Sequence, residues 1–321
     1  MTKVNLLPAF TPDEYQRAHI LLASRVATML GRKLEEGDWA DVYCKAKGIP
    51  IQGWSNLSID ILYKGLGVEH KMLCKPSDKT IKELCGTTLM HPAATRSIRI
   101  SSVDDDATEV ARDVLSQYAD LIKKRFEKIA ETSEGGKCDA RTGWLLWQES
   151  LAEFLYFEEE MIPPNPNDYY AEWKESGGGS RKKSKNLWVF ENETGRKKYS
   201  ITTSAGAKIQ PYFDVPPPNN ANLYYFQVQG EILPGGLIRI WITKTTWLCL
   251  KQVAGSLDTP DLSKFILESV QNNANILKEV PIPSGEAEQL LISQEAYTAL
   301  AEHYKGVSDE HMIQLLLYSV V

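Results

Sequence analysis

Polar and apolar positions along the chain first follow a helical period and then shift toward alternation. Thr11-Pro12-Asp13-Glu14 has the form of a capping box with proline at the first helical position, and Ile20, Leu21, Ala27 and Leu30 follow at helical spacing up to Gly31. Residues 38–47 predict a second, shorter helix stopped by Gly48-Ile49-Pro50. Residues 56–63 and 68–73 predict two strands joined by Lys64-Gly65-Leu66-Gly67. Residues 79–85 read as a helical turn and 96–101 as a further strand. A long amphipathic helix is expected over 104–131, because Val110, Val114, Leu115, Tyr118, Leu121, Ile122 and Phe126 share one stripe. Residues 144–160 read as another helix, ended by Pro163-Pro164-Asn165-Pro166, and the polar, glycine-rich stretch 168–185 reads as a mobile loop.

From residue 187 the pattern becomes that of strands. Residues 187–191 and 198–203 flank Asn192-Glu193-Thr194-Gly195, and 222–233 and 237–250 flank Pro234-Gly235-Gly236, both hairpin signals. Helices are expected at 261–277 and 293–304, the second closed by Gly306. The fold class is therefore α/β or α+β, with helix-framed strands first and a β-rich half later. Three segments follow: a helical N-terminus and core at 1–165, a Gly/Ser-rich loop at 166–186, and a β-rich and helical half at 187–321 serving recognition or dimerisation.

Composition narrows the class by exclusion. With 43% hydrophobic and 24% charged residues the chain is of ordinary globular type. It has no 18-residue apolar run to span a membrane, and its first ten residues are too mixed for a signal peptide. Five scattered cysteines without a CxxC pair point away from zinc and toward a reduced, cytoplasmic protein. The absence of GxxxxGK[ST], GxGxxG and GxSxG argues against a nucleotide cofactor or a serine hydrolase.

A net charge of −6 is unpromising for a polyanion partner until the charges are placed. Residues 64–99 hold seven Lys/Arg against three Asp/Glu and 176–198 seven against two, whereas 104–175 hold eight against eighteen. Two basic patches and an acidic back are compatible with a DNA surface, and equally with solvated faces.

The segment with the clearest chemistry is 56–73. A four-residue connection would pair Tyr63 with Val68, Leu62 with Glu69 and Asp60 with Lys71, which puts Asp60, Glu69 and Lys71 on one face. Two carboxylates and a lysine on an otherwise apolar hairpin are costly to bury alone, and a divalent cation would offset that cost. Carboxylates suit Mg²⁺, which keeps waters and binds phosphate, and a neighbouring lysine can orient or deprotonate a water or stabilise a developing anion. Composition alone gives about three acidic-x-Lys triplets by chance. Two occur, Glu69-His70-Lys71 and Glu172-Trp173-Lys174, and only the first has the two-strand setting.

This hairpin resembles the PD-(D/E)XK nuclease superfamily, known from type II restriction endonucleases. Asp60 matches the family's aspartate and Glu69-His70-Lys71 its (D/E)XK, while Ile59 stands where the family name has proline. The resemblance covers about residues 35–73 and implies a restriction-endonuclease-like core, a mixed sheet flanked by helices. It implies Asp60, Glu69 and Lys71 as catalytic residues, and Asp60, Glu69 and the carbonyl of His70 as ligands of Mg²⁺. Many members add a glutamate from a preceding helix, for which Glu35 and Glu36 are candidates, Glu36 the one carried forward. It implies hydrolysis of double-stranded DNA, with a homodimer matching a two-fold site. The alternatives are a repair, recombination or modification-dependent nuclease on the same core, and a non-catalytic DNA-binding or assembly protein.

Candidate DNA contacts follow from position and charge: Lys75, His91, Arg96 and Arg99 beyond the hairpin, and Arg181, Lys182, Lys183, Lys185, Arg196, Lys197 and Lys198 around the Gly/Ser stretch. Tyr224, Tyr225, Phe226, Trp241 and Trp247 read as core. Glu158-Glu159-Glu160 reads as a solvated helix end, and His19, His303 and His311 as structural.

Overall fold

The computed structural model describes residues 5–29, 33–50, 59–75, 80–92, 98–100, 102–176, 184–203, 208–272 and 282–318. Helix α1 (Pro12–Ala27) begins as its sequence requires: Thr11 accepts the Glu14 N–H, Glu14 accepts the Thr11 N–H, and Pro12 fills the first turn. Helix α2 (Glu36–Lys47) ends on Gly48 in the left-handed conformation. Both lie on one face of a six-stranded mixed sheet.

That sheet runs in the order β1 (Leu6–Leu7), β6 (Glu153–Glu160), β5 (Asp139–Gln148), β3 (Leu66–Lys75) and β2 (Ile61–Tyr63), with β11 (Tyr224–Gln227) also paired to β6. Strands β3 and β5 are parallel and every other pairing is antiparallel. The parallel pair needs a crossover, and α3 (Ala107–Glu131), capped by Asp106, lies within it. On the α1/α2 face, Trp39, Tyr43, Val68, Leu145, Phe154, Tyr156 and Phe226 form the largest core. On the opposite face, Trp144, Leu146, Leu155 and Phe157 pack against Ile81 of a 3₁₀ turn and against Phe213.

A second, antiparallel sheet has the order β4 (Thr88–Met90), β10 (Lys208–Asp214), β9 (Lys197–Thr202), β8 (Ser184–Glu191) and β7 (Tyr169–Ser176). Helix α3 joins the two sheets. Its first half buries Val110, Ala111, Val114 and Leu115 against Ala171, Leu187, Val189 and Ile201 of the second sheet. Its second half buries Ile122 and Ile129 against Ile59 and Ala140 of the first. A third sheet, β12 (Glu231–Ile232), β13 (Leu237–Thr243) and β14 (Ala287–Ser293), carries helices α4 (Lys244–Ala254), α5 (Thr259–Asn272), α6 (Gln294–His303) and α7 (Asp309–Leu317) around its own core. No helix among the described residues is long and apolar enough to cross a membrane.

The expected mixed sheet flanked by helices, and strands in the later half, are present. Four expectations are corrected. Residues 144–160 form the hairpin of β5 and β6 instead of a helix. Positions 144–148 and 154–157 are buried without alternation, as in a strand covered on both faces. The solvated helix end expected at Glu158-Glu159-Glu160 is thus a strand, with Glu158 wholly buried. Residues 169–176, read as loop, are strand β7, whose inward side is Tyr169, Ala171 and Trp173. Residues 244–250, read as the end of a strand, belong to helix α4, because Thr243 turns the chain by accepting the Thr246 N–H. Of the strand expected at 96–101, half (96, 97 and 101) lies outside the described residues, and 98–100 show only a single bridge at Ile98.

Tyr224, Phe226 and Trp241 are buried, while Tyr225 and Trp247 are half-buried. His19 is held by the Gln227 carbonyl at 2.8 Å.

Candidate active site

The turn between β2 and β3 is shorter than the sequence suggests. Lys64 and Gly65 both have positive φ, 46° and 81°, the signature of a two-residue type I′ turn, and Tyr63 pairs with Leu66. The register is therefore Ile61 opposite Val68 and Leu62 opposite Gly67, two residues away from the pairing expected. A shift of two leaves the faces of β3 unexchanged, so Glu69 and Lys71 keep their common side. Beyond Val68 no strand among the described residues pairs with that edge of β3, and Asp60, just before β2, lies against it. Its Oδ2 accepts the His70 N–H at 2.7 Å.

Glu69 is buried and meets two cations, Lys71 Nζ at 2.5 Å and Arg125 of α3 at 3.0 Å. Burial pushes the Glu69 carboxyl up, but Lys71 and Arg125 outweigh it and leave it below the usual range. Burial also pulls Lys71 down, and Glu69 more than offsets it, so Lys71 stays charged. For Asp60 the balance is the reverse: burial, then the charges of Glu69 and Glu36, outweigh the His70 N–H and Lys71 and push it up to about 7. Glu36, in the first turn of α2, is raised by burial, with Lys71 lowering it and Glu69 raising it, so it belongs electrostatically to the same group. Glu35 instead caps α2, its N–H donating to Asp38 at 2.9 Å.

His70 points the other way, into Trp39, Tyr43 and Tyr156, with both ring nitrogens buried and unpartnered among the described residues. Burial holds its pKa down to about 3, so the ring is neutral. The space for it comes from Gly143, where a Cβ would stand 2.9 Å from the His70 ring and 2.4 Å from the Tyr156 hydroxyl.

The outward side of this hairpin opens into a cleft of about 360 Å³ between the two larger sheets. Glu69, Lys71, Tyr118 and Arg125 line one wall, and Arg196, Lys197 and Lys198 line the other. Residues more than 120 positions apart in sequence thus share one cavity. Arg196 is paired with Asp214 at 2.6 Å, and Lys197 sits over the Trp188 ring.

Other expected DNA contacts are placed elsewhere. His91 is buried, with Nε2 2.9 Å from the Met72 carbonyl and a pKa pulled down to about 4 by burial, so it supports β3 from behind instead of facing a ligand. Lys75, Arg99 and Lys185 do not line the cleft, and Lys185 is tied to Asp104 at 2.9 Å. Arg96, Arg181, Lys182 and Lys183 lie outside the described residues.

Sequence reasoning missed Arg125. It sits between Ile122 and Ile129 on the buried stripe of α3, and a charge inside an apolar stripe is the signal that marks it.

As a cation site the group is hard-oxygen in character: Asp60, Glu69, Glu36 and the His70 carbonyl. Among the described residues no three His, Cys, Asp or Glu side chains stand close enough to form a cage. Mg²⁺ needs no such cage, being held by one or two carboxylates and completing its shell with water and phosphate. The raised Asp60 carboxyl reflects burial first and the neighbouring charges of Glu69 and Glu36 second.

No protein-family model matches this chain, and no curated protein or solved structure is similar to it.

Proposed function

We propose that this chain is a Mg²⁺-dependent endonuclease of the PD-(D/E)XK kind that hydrolyses phosphodiester bonds in double-stranded DNA. Its action would be that of a type II restriction enzyme working as a homodimer. The observation that supports the reading is the Glu69–Lys71 pair opening on a cleft whose far wall holds Arg196 and Lys198, with the Asp60 carboxylate on the neighbouring His70 N–H.

Asp60, Glu69 and the His70 carbonyl would hold the metal, which supplies an acidified water and polarises the scissile phosphate. The rest falls to the chain's own residues. Lys71 is kept protonated by Glu69, so its role is to stabilise charge on the phosphate and not to take a proton from water. Arg125 is a second cation at the same carboxylate, and either one can turn from Glu69 to a phosphate oxygen. Asp60 fixes the β3 edge through the His70 N–H, which orients the His70 carbonyl's peptide neighbours. Arg196 and Lys198 position the DNA backbone without reading its sequence.

Supercoiled plasmid incubated with Mg²⁺ should be cut, and EDTA should stop the cutting. Discrete fragments indicate sequence-specific restriction, a smear indicates a repair or modification-dependent nuclease, and binding without cutting leaves a non-catalytic DNA-binding protein.

A further inference from the structure

The second sheet has one face packed on α3 and another that no core covers. Alternation along β7, β8 and β10 puts Tyr170, Trp188, Phe190 and Tyr212 on that outer face, and none belongs to a hydrophobic cluster. Their contacts fix the arrangement. Tyr170 and Phe190 are stacked at 5.2 Å with planes 17° apart, and Tyr170 is 37% exposed. Lys197 Nζ lies between Trp188, at 3.3 Å, and Tyr212, at 5.1 Å, and Lys174 Nζ is 5.7 Å from Trp188. Lys174 is matched by Glu172 at 2.8 Å, whereas Lys197 makes no ion pair among the described residues.

Aromatic rings interleaved with cations on an open sheet have two requirements of a partner. It must offer flat π faces and negative charge at short intervals. Paired bases hide their faces inside the duplex, so only an unpaired strand meets both. From β7 to β10 the platform spans three strand spacings, roughly 14 Å, enough for a short run of nucleotides. It also adjoins the cleft, because Lys197 and Tyr212 belong to both.

We propose that this outer face is a second nucleic-acid site, binding single-stranded DNA by stacking bases on Tyr170, Phe190, Trp188 and Tyr212 while Lys197 takes a phosphate. The site does not require the cleft to cleave anything. A base entering between Trp188 and Tyr212 displaces Lys197 from the rings and frees its ammonium for the backbone. Burial holds that ammonium's pKa down to about 8, and a phosphate neighbour would raise it again.

The test uses the full chain in EDTA and a labelled oligothymidylate of about 20 nucleotides. It should bind and quench tryptophan fluorescence. Trp188→Ala and Phe190→Ala should each weaken it at least about fivefold, the lower end for loss of one stacked base. A duplex of equal length should bind both variants as it binds the parent chain. Lys197→Gln should flatten the salt slope by about 0.7, the value for one single-strand phosphate. If Trp188→Ala unfolds the protein, Phe190→Leu at the more exposed pair serves the same purpose. Failure of the oligonucleotide to bind, or equal affinity in folded variants, overturns the proposal. Loss of oligonucleotide binding in Glu69→Gln would move the site into the cleft and overturn it too. None of these outcomes bears on whether plasmid is cut in Mg²⁺, so the two readings fail separately.

Discussion

Glu69 makes two ion pairs, whereas Asp60 makes none among the described residues, and this asymmetry fixes what each substitution should do. Glu69→Gln removes a metal ligand but leaves Lys71 and Arg125 free to attract phosphate. Cleavage should fall below detection while duplex binding in Ca²⁺ is unchanged or tighter, as a filter or anisotropy assay would show. Asp60→Asn keeps an oxygen for the His70 N–H, so it should fold normally and still lose cleavage. Cutting at parental rates by both variants would end the catalytic assignment. A different carboxyl carries a pH effect. Asp309 is buried at the start of α7, accepting from the Gly230 N–H at 2.8 Å and the Tyr297 hydroxyl at 3.1 Å, and burial pushes it from 3.8 to about 7. The folded state therefore keeps a proton that the unfolded chain releases, and this contribution, complete below about pH 4, is lost as pH rises through about 7. Urea midpoints should drop between pH 5 and pH 8 in the parent, by up to a few kcal/mol in stability. Asp309→Asn should remove its share of that drop, the rest belonging to carboxyls such as Asp60 that burial raises likewise, and an identical drop in the variant would show that Asp309 contributes nothing to the slope.

At the level of elements, the legible parts were those with local punctuation. The Thr11 capping box, the Gly48 stop and the apolar stripe of α3 each mark an element within a few residues of its true limits. The misread parts depend on distant partners. Strand β5 looks helical because Trp144, Leu145, Leu146 and Trp147 are all apolar, and only the presence of cores on both faces makes a strand of them. The faces of β3 survived a wrong register, since a shift of two cannot exchange them. Arg125 carries only the signal of a charge inside an apolar stripe, and its meeting with Arg196 across one cleft was not legible, because α3 and the strand order of the second sheet bring the two together. Close packing of α3 on β3 gives its own test. A Cβ on Gly67 would stand 2.3 Å from Ile129 and 2.9 Å from Ile59, so Gly67→Ala should destabilise the fold by about 1–3 kcal/mol. A denaturant midpoint equal to that of the parent would show that α3 yields.

For the whole molecule, the cleft lies between two sheets whose spacing is set by one helix. If its far wall contacts duplex phosphates, replacing Arg196 and Lys198 by glutamine should flatten the salt dependence of binding by roughly two in log–log slope. Specific and non-specific DNA should weaken alike, and an unchanged slope would remove this wall from the interface. The pairings also have a bearing on synthesis. Leu66 waits for Asp139, Phe154 for Phe226, and the Ser24 hydroxyl for the Ala287 N–H, which reaches it at 2.7 Å. Such remote pairings make for slow folding. While the ribosome is still working, Asp60, Glu69 and Lys71 are already made but have no neighbouring strand to hold them. On the proposed chemistry the chain would emerge harmless, its two cleft walls meeting only after β10 has left the exit tunnel.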